Sequence, residues 1–214
     1  MMNNDDIWAA IDDHRSRTAD LLEALRDDEW RRASLCDGWT IRDVAAHLTL
    51  QQIRLRQALT MLPLVVRHPG GPNSVIHWSA KRKAQVPTRQ LTGEIRAMVG
   101  SRAHNIGLTP REALIDILVH GQDIALPLDR TLPMSPEAAA EAAGHMLAYG
   151  TGWRSKVFQQ NGLRGATLRA TDIDWSGGTG PEVRGPMWAL LLSLAGRRAA
   201  LGELSGDGMT LVSR

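Results

Sequence analysis

The chain lacks the residues that mark several common protein classes. One cysteine, Cys36, stands in 214 residues, so neither an intrachain disulfide nor a Cys-rich metal knuckle can form. No run of about 18 apolar residues occurs, which argues against a membrane-spanning helix. The acidic, helix-like start from Met1 to Asp13 has neither the charged n-region nor the apolar h-region of a signal peptide. A cytoplasmic location is the expectation. Tyr and Phe occur once each against seven Trp, so Leu, Val, Ile, Ala and Met must fill the core, with Trp as anchors at packing junctions. Charge of one sign is also missing: 25 Lys and Arg face 23 Asp and Glu. The short clusters Arg31-Arg32, Lys81-Arg82-Lys83 and Arg197-Arg198 do not extend into a basic stripe, so nucleic acid is not an expected partner. There is no G-x-G-x-x-G or P-loop pattern, and Gly177-Gly178-Thr179-Gly180 reads as a turn. Ser74 and Ser193 have no nucleophile context.

Helical periodicity dominates what is present. Ile7, Trp8, Ile11, Leu21, Leu22 and Leu25 recur at helical spacing between Asp5 and Asp28. A turn-rich loop follows, Ser34 to Trp39. Thr40 then caps a second helix, with Asp43 in the capping-box position, and this helix is expected to reach about Leu62 before Pro63. Residues 67–76 read as loop. Further helices are expected at about Asn73–Gln85 and Thr88–His104, and another opened by Thr109-Pro110-Arg111-Glu112 and ending before Pro127. Several helices within 1–130 predict a helix bundle. The remainder, 131–214, changes character. A helix at Ser135–Gly150, an alternating strand at 163–175, a Gly-rich turn, a short strand at Glu182–Gly185, a helix at Met187–Leu194 and a last strand at Met209–Val212 predict a small α+β module.

The stretch Asp116-Ile-Leu-Val-His120-Gly-Gln-Asp123 concentrates the chemistry. Asp116, His120 and Asp123 fall on one helical face, four and then three residues apart. A carboxylate and an imidazole one turn apart can present two ligands to one metal ion. His47, on the apolar helix Val44–Leu48, is a third. A hydrogen-bonded polar core is the competing reading, because a buried unpaired carboxylate at Asp116 would be costly. Asp123 suits a partner for the free N–H of a ligating imidazole better than a ligand, or else is an exposed acid near a helix end. Gln122 is expected to face solvent. Cys36, beside a helix N-terminus, reads as a small buried apolar residue in preference to a catalytic thiolate. His68, His77, His104 and His145 show no ligand spacing and are expected on the surface or at hinges.

Three segments carry a resemblance. They are Leu35-Cys-Asp-Gly-Trp-Thr-Ile-Arg-Asp-Val-Ala-Ala-His-Leu48, then Asp116 to Arg130, then the tail from Asp172-Ile-Asp-Trp175 through Gly185-Pro186 and Leu194-Ala-Gly-Arg197 to Leu204-Ser-Gly-Asp207. In this order they resemble the mycothiol-dependent maleylpyruvate isomerase family of the DinB-like metalloenzyme superfamily. The resemblance implies a mainly α fold, a DinB-like four-helix bundle followed by a small C-terminal α+β domain. It implies a divalent metal on His47, Asp116 and His120, zinc by preference, with nickel or manganese also compatible with two imidazoles and a carboxylate. The family's acidic ligand is a Glu, and Asp116 is one methylene shorter. It further implies an arginine at the substrate, here Arg197 with Arg198 adjacent, and mycothiol as cofactor.

The implied mechanism is a metal-activated thiolate attacking a small electrophile whose carboxylate pairs with Arg197. Addition, bond rotation and elimination would give cis–trans isomerisation, and addition without elimination gives thiol transfer. Partners are thus a low-molecular-weight thiol and a small electrophile, with no nucleic acid or membrane, and a homodimer is compatible. Two rivals keep the same residues: a non-catalytic ligand-binding or sensing module, and a metal-assisted hydrolase that uses water.

Overall fold

The computed structural model describes residues 2–52, 71–149, 163 and 165–211. Two compact units divide the chain, Asn4–Leu132 on the one hand and Pro133–Arg214 with Met1–Asn3 on the other. The Met2 backbone N–H donates to Glu141 within the second of these.

The first unit is helical. Its elements are α1 (Asn4–Glu23), a 3-10 turn (Glu29–Arg31), α2 (Ile41–Leu48), α3 (Pro72–Lys83), α4 (Thr88–Ala97) and α5 (Pro110–Ala125). α1 packs on α4 and α5, and α2 packs on α3, α4 and α5. The apolar spacing of α1 buries Ile7, Trp8, Ile11 and Leu22. Both expected N-terminal caps form. Thr40 and Asp43 bond reciprocally at the start of α2, as Thr109 and Glu112 do at the start of α5 behind Pro110.

Several boundaries differ from expectation for local reasons. α1 stops at Glu23 rather than near Asp28. α4 ends at Ala97 rather than His104, because Gly100 takes a left-handed conformation (φ 80°). The carbonyls left over there are met by Arg15, whose wholly buried guanidinium reaches Met98 O at 2.9 Å and Ser101 O at 3.4 Å. A cation suits a helix C-terminus. Helix geometry in α2 gives way to turns at residues 49–52, and the expected continuation to Leu62 lies outside the described residues, as does His68.

The second unit holds α6 (Pro136–Leu147), β1 (Thr167–Ala170), β2 (Ser176–Gly178), β3 (Glu182–Gly185) and α7 (Met187–Leu194), with 3-10 turns at Arg198–Glu203 and Asp207–Leu211. The sheet order is β2-β1-β3. β1 runs antiparallel to β2, with Leu168 opposite Gly177, and parallel to β3, with Leu168 opposite Val183. Those two apolar residues are fully buried.

Here the strand expected over 163–175 is shorter. Asp172 accepts a hydrogen bond from the Met187 N–H (2.9 Å) and so serves the start of α7, which draws the chain out of the sheet. The expected Gly-rich turn instead supplies β2. At Gly178 a side chain would strike Ala166 O at 2.3 Å, so only glycine fits against β1 there. The strand expected at Met209–Val212 is a 3-10 turn through Leu211, with Val212 outside the described residues. Pairing on β3 is taken by Ser205, which exchanges hydrogen bonds with Arg184 at 2.7 and 2.9 Å. Gly206, packed on Glu182 O, then turns the chain away. No described helix is long and apolar enough to cross a membrane.

Candidate metal centre

α5 is buried on most of its circumference, by Leu114, Ile115, Ile117, Leu118 and Val119 among others, and polar groups interrupt that apolar surface at Asp116, His120 and Asp123. α2 packs against α5 and presents His47. The ligand-type atoms of His47, Asp116 and His120 lie within 4.8 Å of one another. The expected triad is therefore a real juxtaposition. His120 Nε2 is 3.9 Å from Asp116 Oδ1, and the two imidazoles meet edge to face with centroids 4.7 Å apart.

The other nitrogen of His120 is in closer company. Nδ1 is 2.7 Å from Asp123 Oδ2, and that same oxygen lies 3.0 Å from Cys36 Sγ. Asp123 is fully buried, so of the two readings left open for it the exposed one is excluded. Burial lowers the basicity of His120. Its contacts with Asp123 and Cys36 outweigh burial and push its pKa up.

The loop before α2 forms the wall of the site. Trp39 sits against three imidazoles, with ring centroids 5.4 Å from His47, 6.4 Å from His120 and 6.0 Å from His77. Its Nε1–H donates to His77 Nδ1 at 2.7 Å. The loop is fastened from α3, where Lys81 Nζ reaches both Gly38 O and Asp43 Oδ2 at 2.8 Å. Burial alone would raise the Asp43 carboxyl; the Lys81 ammonium and the Thr40 cap hold it below the usual range.

Three expectations are overturned by partners elsewhere in the chain. Gln122 is buried, its amide donating to Leu132 O at 2.6 Å. His77 belongs to the wall of the site through Trp39. His104 stacks on Trp8, and His145 meets Tyr149 edge to face. Cys36 is half-buried and hydrogen-bonded to a carboxylate, not an inert apolar filler. Gly121 carried no expectation, yet a Cβ there would lie 2.8 Å from His14 Nε2 and 2.9 Å from Leu132 Cδ2. It permits the close approach of α1 to α5. Arg197 lies in the second unit, where its Nη1 donates to Ala195 O at 2.6 Å.

The donor set fits a transition-metal ion. Ligand legs of 2.0–2.1 Å in a tetrahedron place donor atoms about 3.3 Å apart. The 3.9 Å between Nε2 and Oδ1 is too long for a hydrogen bond and about 0.6 Å wider than that span, so the two side chains would close in on an ion. A ring whose Nδ1 is held by a carboxylate also has the usual second contact of a metal-ligating histidine.

Residues 11–97 match the mycothiol maleylpyruvate isomerase N-terminal domain. The likeness to that family's N-terminal domain is confined to this stretch. Cys36, Trp39 and His47 fall inside the match, and α5 follows it. Two solved structures share the fold of the chain. One is a histidine-to-alanine mutant of the mycothiol-dependent maleylpyruvate isomerase, 12% identical with a TM-score of 0.57. The other is the mycothiol-dependent maleylpyruvate isomerase itself, 12% identical with a TM-score of 0.54. Each alignment covers 96% of this chain and 93% of the other. Likeness at that identity establishes a mainly helical bundle with a small three-stranded C-terminal sheet. No curated protein sequence matches the chain.

Proposed function

We propose that this chain is a metal-dependent enzyme that uses a low-molecular-weight thiol, mycothiol in the first instance, to isomerise or transfer to a small electrophilic substrate. The juxtaposition of His47, Asp116 and His120 carries the reading. His47 and His120 would supply nitrogen donors and Asp116 an anionic oxygen, a set that favours zinc or nickel. A divalent ion held there would lower the proton affinity of a thiol enough to leave a thiolate at neutral pH.

The chain's own residues do the rest. Asp123 accepts the Nδ1–H of His120 and so directs Nε2 toward Asp116. Trp39, itself largely buried, keeps water from one side of the two imidazoles. By the family resemblance Arg197, or the adjacent Arg198, is the candidate to pair with a substrate carboxylate.

Turnover of small unsaturated dicarboxylate-type electrophiles, with and without mycothiol, tests this reading. The parent should require the thiol, and His47→Ala should be inactive at every thiol concentration. Turnover indifferent to thiol would point to metal-assisted hydrolysis. A protein that neither turns over nor takes up metal would be a binding module.

A further inference from the structure

His120 belongs to two groups of ligand-type side chains, one with His47 and Asp116 and one with Cys36 and Asp123. Two of the three edges of the second group are too tight for an ion, and the third, Cys36 Sγ to His120 Nδ1, is 3.7 Å. Zinc at 2.0 Å from oxygen and 2.3 Å from sulfur would hold those donors about 3.5 Å apart, whereas Cys36 Sγ and Asp123 Oδ2 are 3.0 Å apart. The 2.7 Å between His120 Nδ1 and Asp123 Oδ2 is likewise a hydrogen-bond length. One carboxylate oxygen therefore takes two donors, a ring N–H and a thiol S–H. In the second of these bonds the sulfur is the donor and the carboxylate oxygen the acceptor.

The loop is built to place this sulfur. The Leu35 N–H donates to the Asp123 carbonyl at 3.3 Å, which docks the backbone before Cys36 onto α5 at the very residue the thiol serves. The Cys36 N–H is held by Ser34 Oγ at 3.1 Å. The Ser34 N–H in turn donates to Trp39 O at 2.9 Å, closing the turn.

We propose that Cys36 is a positioning residue, whose thiol donates to Asp123 and so locks the carboxylate that aims His120 Nε2 at Asp116 and His47. This rests on the reading of His120 as a metal ligand, but its mechanism is local and operates with or without the ion. With sulfur removed, Asp123 loses one of the donors that fix its plane, and the ring it holds gains freedom.

The test uses the whole chain as parent, Cys36→Ala and Cys36→Ser. Two readouts are zinc affinity by chelator competition and the exchange-protected His120 Nδ1–H proton resonance of metal-free protein. Cys36→Ala should weaken zinc about tenfold, as loss of outer-shell partners does, and should shift or broaden that resonance. Cys36→Ser keeps a donor and should restore both, which mere filling of space would not explain.

Unchanged affinity and resonance in Cys36→Ala would overturn the proposal. So would Cys36→Ser failing as badly as Cys36→Ala. A sulfur-to-metal charge-transfer band in cobalt-substituted parent, lost in Cys36→Ser, would overturn it too by making the sulfur a ligand. If the parent takes up no zinc while the resonance still responds to Cys36→Ala and recovers in Cys36→Ser, positioning stands and the metal reading fails. If Cys36→Ala does not fold, parental zinc affinity and resonance in Cys36→Ser support the proposal and their loss overturns it.

Discussion

The two nitrogens of His120 look onto different neighbourhoods. On the Nδ1 side, Asp123 and Cys36 close in at hydrogen-bond distance, and Asp123 is sealed from solvent. On the Nε2 side, Asp116 stands 3.9 Å away, and His47 completes a group spread over 4.8 Å. The side chains of both His120 and Asp116 keep some solvent access there. One side is a finished network that orients a ring. The other has the spacing of a set that gathers round an ion. The helix supplies both at once, because residues three and four positions from His120 sit on one face.

Removing the ring destroys both sides and gives the largest effect. His120→Ala should bring zinc stoichiometry near zero and cost about 3 kcal/mol of stability, since a buried acid loses its charged partner. Equilibrium urea unfolding beside elemental analysis would show whether the two losses come together.

His14 sharpens the contrast as a histidine with no carboxylate on its ring. It is buried, its Nε2 has no hydrogen-bond partner, and burial, aided by the Arg17 charge and opposed by Asp13, lowers its pKa to about 4. The unfolded chain binds this proton below about 6.5 and the folded chain does not. Stability is thus fully present above 6.5 and falls as pH drops toward 4, by about 3 kcal/mol over the window. His14→Gln should flatten that part of the stability–pH curve.

Charge on the closed side is tested by Asp123→Asn, which keeps the shape and removes the anion. Zinc affinity should fall about 10- to 100-fold, with the Asp116 side untouched. The open side has its own signature in pH. Metal must displace a proton from His120, whose pKa is raised by its partners, so zinc affinity should rise with pH, by about tenfold per unit for one proton. Calorimetric titration in buffers of different ionisation enthalpy would count the proton released.

Gly121→Ala gives the smallest expected effect. The new methyl presses on His14 and Leu132, and helix propensity offsets part of that strain, leaving about 1 kcal/mol of destabilisation. A change in zinc affinity larger than this would mean that the α1–α5 approach governs the aim of His120.

The closeness of His47, Asp116 and His120 was legible because Asp116 and His120 share one helix face and His47 interrupts an apolar one. The bundle was legible from periodicity, and the starts of α2 and α5 from their capping boxes. What escaped sequence reasoning depends on partners far along the chain. Cys36 lies 87 residues from Asp123, and nothing local to either residue announces the contact. Gln122 points outward by periodicity until Leu132 folds back to accept its amide. His77 reads as a surface residue until Trp39 crosses from the α2 loop. The Gly-rich strand β2 was missed because glycine signals a turn locally and a close backbone approach only in three dimensions.

The central claim is that His47, Asp116 and His120 hold one metal ion, and metal content of purified protein tests it most directly. Elemental analysis of parent beside His47→Ala should find one zinc or nickel per chain in the parent and almost none in the variant. A metal-free parent that also fails to take up added zinc, or a variant that binds as well as the parent, would contradict the account.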